Sequence, residues 1–259
     1  MCELLGLSAR QKLTVNKILK IFYGHGDDHP HGWGLALFRE DGTPAIEKEP
    51  VRATASSYLK TRLEAGIEAA SLIGHIRLAT IGTLDYVNCH PFVMRDTGGR
   101  PWTIAHNGTI FDFPPLDAYL KRQEGATDSE RVALYLVDAI SDETARIGRP
   151  LSFEERFDVL ERAIVALTRK NNKVNLLVFD GEYLYAHSNF AGSLHYLQQD
   201  GHAWLSTRPL TDGAWKSLPF RRLCAFKDGE LVRTGEDHHG EYFVNQGDLD
   251  MIYMAYSSL

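Results

Sequence analysis

The sequence predicts an α+β fold in which helices cover hairpin-rich antiparallel sheets. Three observations predict it. Four Asp-Gly pairs sit between short apolar runs, two long stretches in the middle of the chain carry apolar residues at helical spacing, and two shorter helical segments lie nearer the N-terminus. Asp-Gly favours the tight turns of β-hairpins because both residues tolerate positive φ.

In chain order, the first helix is expected near Thr14–Phe22 and a second near Ser56–Ala65. Between them, Asp41-Gly42 separates Trp33–Phe38 from a short run near Ala45–Ile46, the first hairpin. The apolar run Ser71–Ile76 reads as a strand. Thr127 and Glu130 stand at capping-box spacing ahead of Val132, Ala133, Leu136, Val137 and Ile140, and Arg146, Gly148 and Pro150 mark that helix's end. Ser152 and Glu155 repeat the capping signature ahead of the stripe Phe153, Phe157, Leu160, Ile164 and Leu167. Three more hairpins follow. Asp180-Gly181 joins Val174–Phe179 to Tyr183–Ala186, Asp200-Gly201 joins Leu194–Leu197 to Ala203–Leu205, and Asp228-Gly229 joins Leu223–Phe226 to Leu231–Val232. Two helix pairs and a substantial antiparallel system suit a layered helix-sheet-sheet-helix arrangement.

Composition narrows the function classes. The chain has 259 residues, 44% hydrophobic, enough for a sizeable core. Its net charge is -6, from 28 basic and 34 acidic residues, and the basic ones form no stripe, which argues against nucleic acid and membrane surfaces as partners. Three cysteines, at positions 2, 89 and 224, make neither a disulfide framework nor a zinc pair. The N-terminus is not a signal peptide and no apolar run approaches the ~20 residues of a membrane span. A reducing cytoplasm is the expected setting.

Several stretches could carry chemistry. Removal of Met1 leaves Cys2 with a free α-amine, so one residue supplies both thiol nucleophile and base. The alternative is a small buried residue at the start of a strand. Arg77, at the exit of the Ser71–Ile76 strand, could clamp a carboxylate through two parallel hydrogen bonds or simply make a surface ion pair. Asn107 and Gly108 end a β-rich run; they could converge on an oxyanion, or form a hairpin turn. Asp128 falls in a first helical turn, where a carboxylate either stabilises the helix or binds a substrate ammonium. His90, in Cys89-His90-Pro91-Phe92, is either an acid-base group or a structural histidine. The stretch His25–Gly34 holds three histidines and two aspartates within His25–His31, which allows a metal-dependent hydrolase reading, but its Pro and three glycines make it a loop and its spacing fits no standard ligand motif.

The order of these motifs is more specific than any one of them. Cys2, then Gly-Trp-Gly at 32–34, Gly-His-Ile-Arg-Leu-Ala-Thr at 74–80, His-Pro-Phe at 90–92, Ala-His-Asn-Gly at 105–108 and Thr-Asp-Ser-Glu at 127–130 resembles the class II glutamine amidotransferases, members of the N-terminal nucleophile hydrolase superfamily. Leu205–Thr211, followed by Trp215 and Pro219, resembles their stand-alone branch, which includes an amidohydrolase of γ-glutamyl amides in ergothioneine biosynthesis. The resemblance implies a four-layer αββα sandwich of two antiparallel sheets. It implies Cys2 as nucleophile and its amine as base, with Asn107 and Gly108 as the oxyanion hole. Arg77 and Asp128 would hold the carboxylate and ammonium of glutamine, and Thr80 and His106 complete the substrate-side set. No metal or organic cofactor is needed.

Two departures stand out. Ile81-Gly82 replaces the His-Gly that usually follows this motif in tandem-domain relatives, and His31 stands where stand-alone relatives often have Asp. The expected organisation is a single amidotransferase domain over 1–259, since 27 residues after Val232 leave no room for a synthase domain of about 100 residues or more. The ammonia acceptor, if there is one, is then a separate synthase. A non-catalytic binding protein on the same fold is the alternative if Met1 stays in place.

Overall fold

The computed structural model describes residues 2–247 and 250. In chain order it runs β1 (Glu3–Thr14), α1 (Asn16–Gly24), β2 (Trp33–Phe38), β3 (Pro44–Glu49), α2 (Ser57–Glu64), β4 (Glu68–Ile76), β5 (Phe92–Arg95) and β6 (Pro101–Thr109). There follow α3 (Asp128–Ile147), α4 (Phe153–Leu167), β7 (Lys173–Phe179), β8 (Leu184–His187), β9 (His195–Gln199), β10 (His202–Ser206), β11 (Lys216–Ser217), β12 (Leu223–Lys227) and β13 (Glu230–Thr234). The strands form a seven-stranded sheet, in the order β11-β9-β10-β1-β4-β2-β3, and a six-stranded sheet, β13-β12-β8-β7-β6-β5. Every pairing is antiparallel.

Three apolar clusters separate the layers. Leu5, Leu7, Leu35, Leu72 and Ile76 on the seven-stranded sheet pack with Leu19 and Phe22 of α1 and Leu59 and Leu63 of α2. Trp102, Ile104, Leu176 and Val178 on the six-stranded sheet pack with α3 and α4 through Val132, Leu136, Phe157 and Leu160. Leu4, Ile73 and Leu205 from one sheet meet Ala105, Leu177, Phe179 and Phe226 from the other. The fold is therefore αββα. Alternation along each strand sends one residue to a helix layer and the next to the space between the sheets. Each buried Leu, Ile or Phe contributes roughly 1.5–3 kcal/mol.

All four Asp-Gly pairs are hairpin turns. Both turn residues have positive φ in Asp200-Gly201 and Asp228-Gly229, whereas only the glycine does in Asp41-Gly42 and Asp180-Gly181. Asp180 has a further task. Its buried carboxylate accepts from the backbone of Glu182 and Tyr183, the Tyr185 hydroxyl and Arg156 Nε, so one side chain shapes the turn and ties α4 to it.

Helix ends follow the sequence signals. Ser152 and Glu155 form the reciprocal capping box of α4, and Gly148 closes α3 in the left-handed conformation. Thr127 caps α3, but Glu130 does not reach back to it. The Glu130 carboxylate accepts from the backbone of Glu124 and Gly125, holding the loop before the helix. The first strand extends through Thr14, so α1 starts later than the sequence suggests. No helix among the described residues is long and apolar enough to cross a membrane.

Candidate active site

The site follows from strand parity. Leu4, Ile73, Ala105 and Leu177 all face the space between the sheets. Counting by twos toward one end of that space gives Cys2 ahead of β1, His75 and Arg77 on β4 and its exit, Asn107 on β6, and Asn175 and Lys173 on β7. Four separated segments thus bring a thiol, a guanidinium, an amide and an ammonium to the same end of the sandwich.

Cys2 is half-buried; Cys89 and Cys224 are buried. Burial pushes the Cys89 thiol up to about 11 and the Cys224 thiol up to about 12, so both stay protonated and inert near neutrality. Cys2 Sγ lies 3.4 Å from the Leu78 backbone N–H, which donates to it, and 3.5 Å from the Leu78 carbonyl. Its neighbours are firmly fixed. Thr207 Oγ1 accepts from Leu4 N at 2.9 Å, and Thr207 N donates to Leu4 O at 3.1 Å. Glu3, on the opposite face of the strand, accepts from Arg208 and pairs with His25 Nδ1 at 2.8 Å. The Ser-Thr-Arg segment after β10 therefore anchors the strand that presents Cys2.

The His25–His31 stretch completes that anchorage. His29 Nδ1 meets the His25 carbonyl at 3.0 Å and its Nε2 lies 3.9 Å from Glu3 Oε1, so His25 and His29 both reach Glu3, whereas His31 Nδ1 accepts from Ala79 N at 2.9 Å. Among the described residues no group of three or more His, Cys, Asp or Glu is gathered as a metal site would require.

Arg77 is 2% exposed. Its Nη1 donates to the Thr83 carbonyl at 2.9 Å, and its Nη2 to the carbonyls of Ile81 at 3.0 Å and Gly82 at 3.4 Å. The guanidinium is the hub on which the loop after β4 is wound, and Thr80 lies half-buried in that loop. Burial lowers the Arg77 pKa, while Cys2, Cys89 and Asp128 favour its charge. Asp128 opens α3 and is buried. Its Oδ1 accepts from Ser129 N at 2.9 Å, and its Oδ2 from Ile110 N at 2.8 Å, joining the end of β6 to the helix.

Asn107 and Gly108 do not form a turn; both lie inside β6, opposite Asn175 and Val174 of β7. At Gly108 a Cβ would stand 1.9 Å from the Lys173 carbonyl oxygen and 2.3 Å from His106 Nε2, so only glycine fits. His106 faces the helix layer rather than the space between the sheets. Its Nδ1 pairs with Ser129 Oγ at 3.0 Å and its Nε2 with the Lys173 carbonyl at 3.1 Å. It braces Gly108 and α3 from behind and is not brought to the face that carries Cys2.

Sequence reading missed two features. Lys173, 2% exposed, opens a strand whose other residues, Asn175 apart, are apolar; its parity with Leu177 and Phe179 was the available signal. The second is a pair of buried imidazoles, His75 stacked on His90 with centroids 4.1 Å apart. Burial drives both well below the usual histidine range, so both are neutral. Neither ring nitrogen of His90 has a partner among the described residues.

Two antiparallel sheets packed face to face between helix layers make the chain an αββα sandwich. The chain belongs to the class-II glutamine amidotransferases, whose family model matches residues 1–204. An uncharacterized protein of Methanocaldococcus jannaschii is 32% identical over 264 residues, 91% of this chain and 72% of that protein. A candidate glutamine amidotransferase of Escherichia coli is 30% identical over 200 residues, 76% of each chain. Among solved structures, a predicted glutamine amidotransferase from Pseudomonas aeruginosa superposes with a TM-score of 0.64 at 24% identity, covering 90% of this chain and 100% of that one. The glutamine phosphoribosylpyrophosphate amidotransferase of Bacillus subtilis gives 0.66 at 15% identity, over 92% of this chain and 49% of that one. The fold is that of the N-terminal nucleophile amidotransferases.

Proposed function

We propose that this chain cleaves the side-chain amide of glutamine or of a γ-glutamyl amide through a thioester on Cys2. The observation that carries the reading is the convergence of Cys2, Arg77 and Asn107 at one end of the inter-sheet space, with Cys2 the least buried of the three thiols.

With Met1 removed, the α-amine of Cys2 has an ordinary pKa of ~8, so a useful fraction is neutral near pH 7 and can take the thiol proton. Arg77 and Asp128 carry the charges opposite to a glutamine zwitterion; Arg77 holds the α-carboxylate and Asp128 the α-ammonium. Thr80, in the loop wound on Arg77, lines the same end. The sulfur attacks the amide carbon, and Asn107 Nδ2 and the Gly108 N–H receive the oxyanion, an effect of about 3–4 kcal/mol per donor. The Cys2 ammonium returns its proton to the leaving nitrogen as the C–N bond breaks. Water then attacks the thioester and releases the γ-carboxylate and the free thiol. His106 supports this site through Gly108 rather than touching substrate.

The chain acts either as an amidohydrolase on its own or as the ammonia-supplying partner of a separate synthase. We favour direct hydrolysis, which needs no channel between proteins. A diazo-ketone analogue of glutamine should add once, at Cys2, and Cys2→Ala should abolish both labelling and ammonia release. Met1 lies outside the described residues, so intact mass must be read on the same sample. Full turnover by a Met1-retaining preparation rules out the amine as base. If every γ-glutamyl amide stays intact until a second protein is added, the partner-dependent form is correct.

A further inference from the structure

Lys173 is the buried charge that this mechanism leaves unused. It opens β7 with its side chain in the inter-sheet space, on the same strand face as Leu177 and Phe179. Its Nζ lies 3.5 Å from Asn107 Oδ1 and 5.1 Å from the centre of the Phe190 ring.

The orientation of Asn107 depends on this contact. The two ends of a carboxamide have nearly the same shape, and only the NH2 end can donate to an oxyanion. A cation beside one end admits the oxygen there and repels the amino group. Nδ2 is thereby turned away from Lys173.

We propose that Lys173 is a positioning residue of the amide-cleaving site, fixing the Asn107 amide with Nδ2 toward the substrate. This rests on Cys2 being the nucleophile. Burial pushes the Lys173 ammonium down to about 8, with Cys2 acting in the opposite direction. The lysine is therefore charged below pH 8, and its hold on Asn107 weakens above it. Among the described residues, the other titratable groups near it are Cys2 ahead of β1 and His106 of β6, whose own protonation Lys173 opposes. His106 is lowered chiefly by burial, so it is neutral around pH 8.

The test uses the full chain with Lys173→Met and Lys173→Gln. Thermal melting checks that each is folded. Steady-state hydrolysis of the best γ-glutamyl substrate gives kcat and KM, and iodoacetamide alkylation of Cys2 checks that the thiol stays reactive. Lys173→Met should lower kcat at least about tenfold with KM within about threefold. Lys173→Gln keeps a neutral donor for Asn107 Oδ1, so it should recover much of kcat. The proposal is overturned if KM rises with kcat unchanged, which makes Lys173 a substrate ligand, if Lys173→Met keeps the wild-type kcat, or if the Gln variant is as slow as the Met variant. If the Met variant does not fold, Lys173→Leu takes its place with the same two readouts. A wild type with unreactive Cys2 and no turnover sinks the nucleophile reading instead.

Discussion

Arg77 has two jobs competing for one side chain, and replacing it separates them. Its guanidinium donates to the carbonyls of Thr83, Ile81 and Gly82 from a buried position. Two of these bonds, at 2.9 and 3.0 Å, are short. A hydrogen bond from a charged donor contributes about 1.5–3 kcal/mol, so Arg77→Met should lose roughly 3–6 kcal/mol and leave buried carbonyls without a donor. Arg77→Lys keeps the charge but not the planar fork, retains about one bond and should lose about 1.5–3 kcal/mol. Urea unfolding gives the stability change, and limited proteolysis reports whether the 80–85 loop has loosened. Glutamine-analogue labelling and small-electrophile labelling of Cys2 are then compared. Loss of stability together with a fall in both labelling rates makes Arg77 the organiser of the loop. If stability stays within about 0.5 kcal/mol of wild type while only the zwitterionic label slows, the loop argument is refuted and Arg77 is a substrate clamp alone.

Further outcomes follow from the same geometry. Asp128→Asn should reduce turnover of substrates with a free α-ammonium by about tenfold or more, with iodoacetamide labelling of Cys2 within about threefold; an equal drop in both would assign Asp128 to the β6–α3 junction instead. Gly108→Ala places a Cβ 1.9 Å from the Lys173 carbonyl, so β6 and β7 must part, at about 1–3 kcal/mol or more. An unchanged urea midpoint with normal labelling would contradict the strand geometry. His187 is buried, its Nδ1 pairs with the Val174 carbonyl, and burial lowers its pKa to about 3. Below pH 6.5 the unfolded chain binds a proton there that the folded chain does not. Stability should therefore fall by about 1.4 kcal/mol per pH unit from this residue as pH drops from 6.5 toward 3, with no contribution above 6.5. Unfolding at pH 7 and pH 5 should show this slope reduced in His187→Asn; an identical slope in both proteins removes His187 as the cause.

The sequence by itself determined the α+β class, and the resemblance carried by its motif order implied the αββα sandwich. Asp-Gly turns and 3.6-residue periodicity are local signals, and local signals survive in a linear reading. It also held the family motifs, because the order of Cys2 and Asn107-Gly108 is read directly along the chain. Only the tertiary structure decided what these residues touch. Asn107-Gly108 reads as a turn until β7 is seen beside it, since the same dipeptide fits a hairpin and a strand interior. His106 reads as a substrate contact until parity sends it to α3, one residue away from the inward-facing Asn107. The His25–His31 stretch allows a metal reading beside the loop reading; in the structure His25 and His29 reach Glu3 and His31 meets Ala79, contacts with distant segments that spacing alone does not show. Lys173 is 171 positions from Cys2 along the chain and carries no motif. Its place beside Asn107 comes from the pairing of β6 with β7 and the packing of two sheets face to face, and neither is encoded in local spacing.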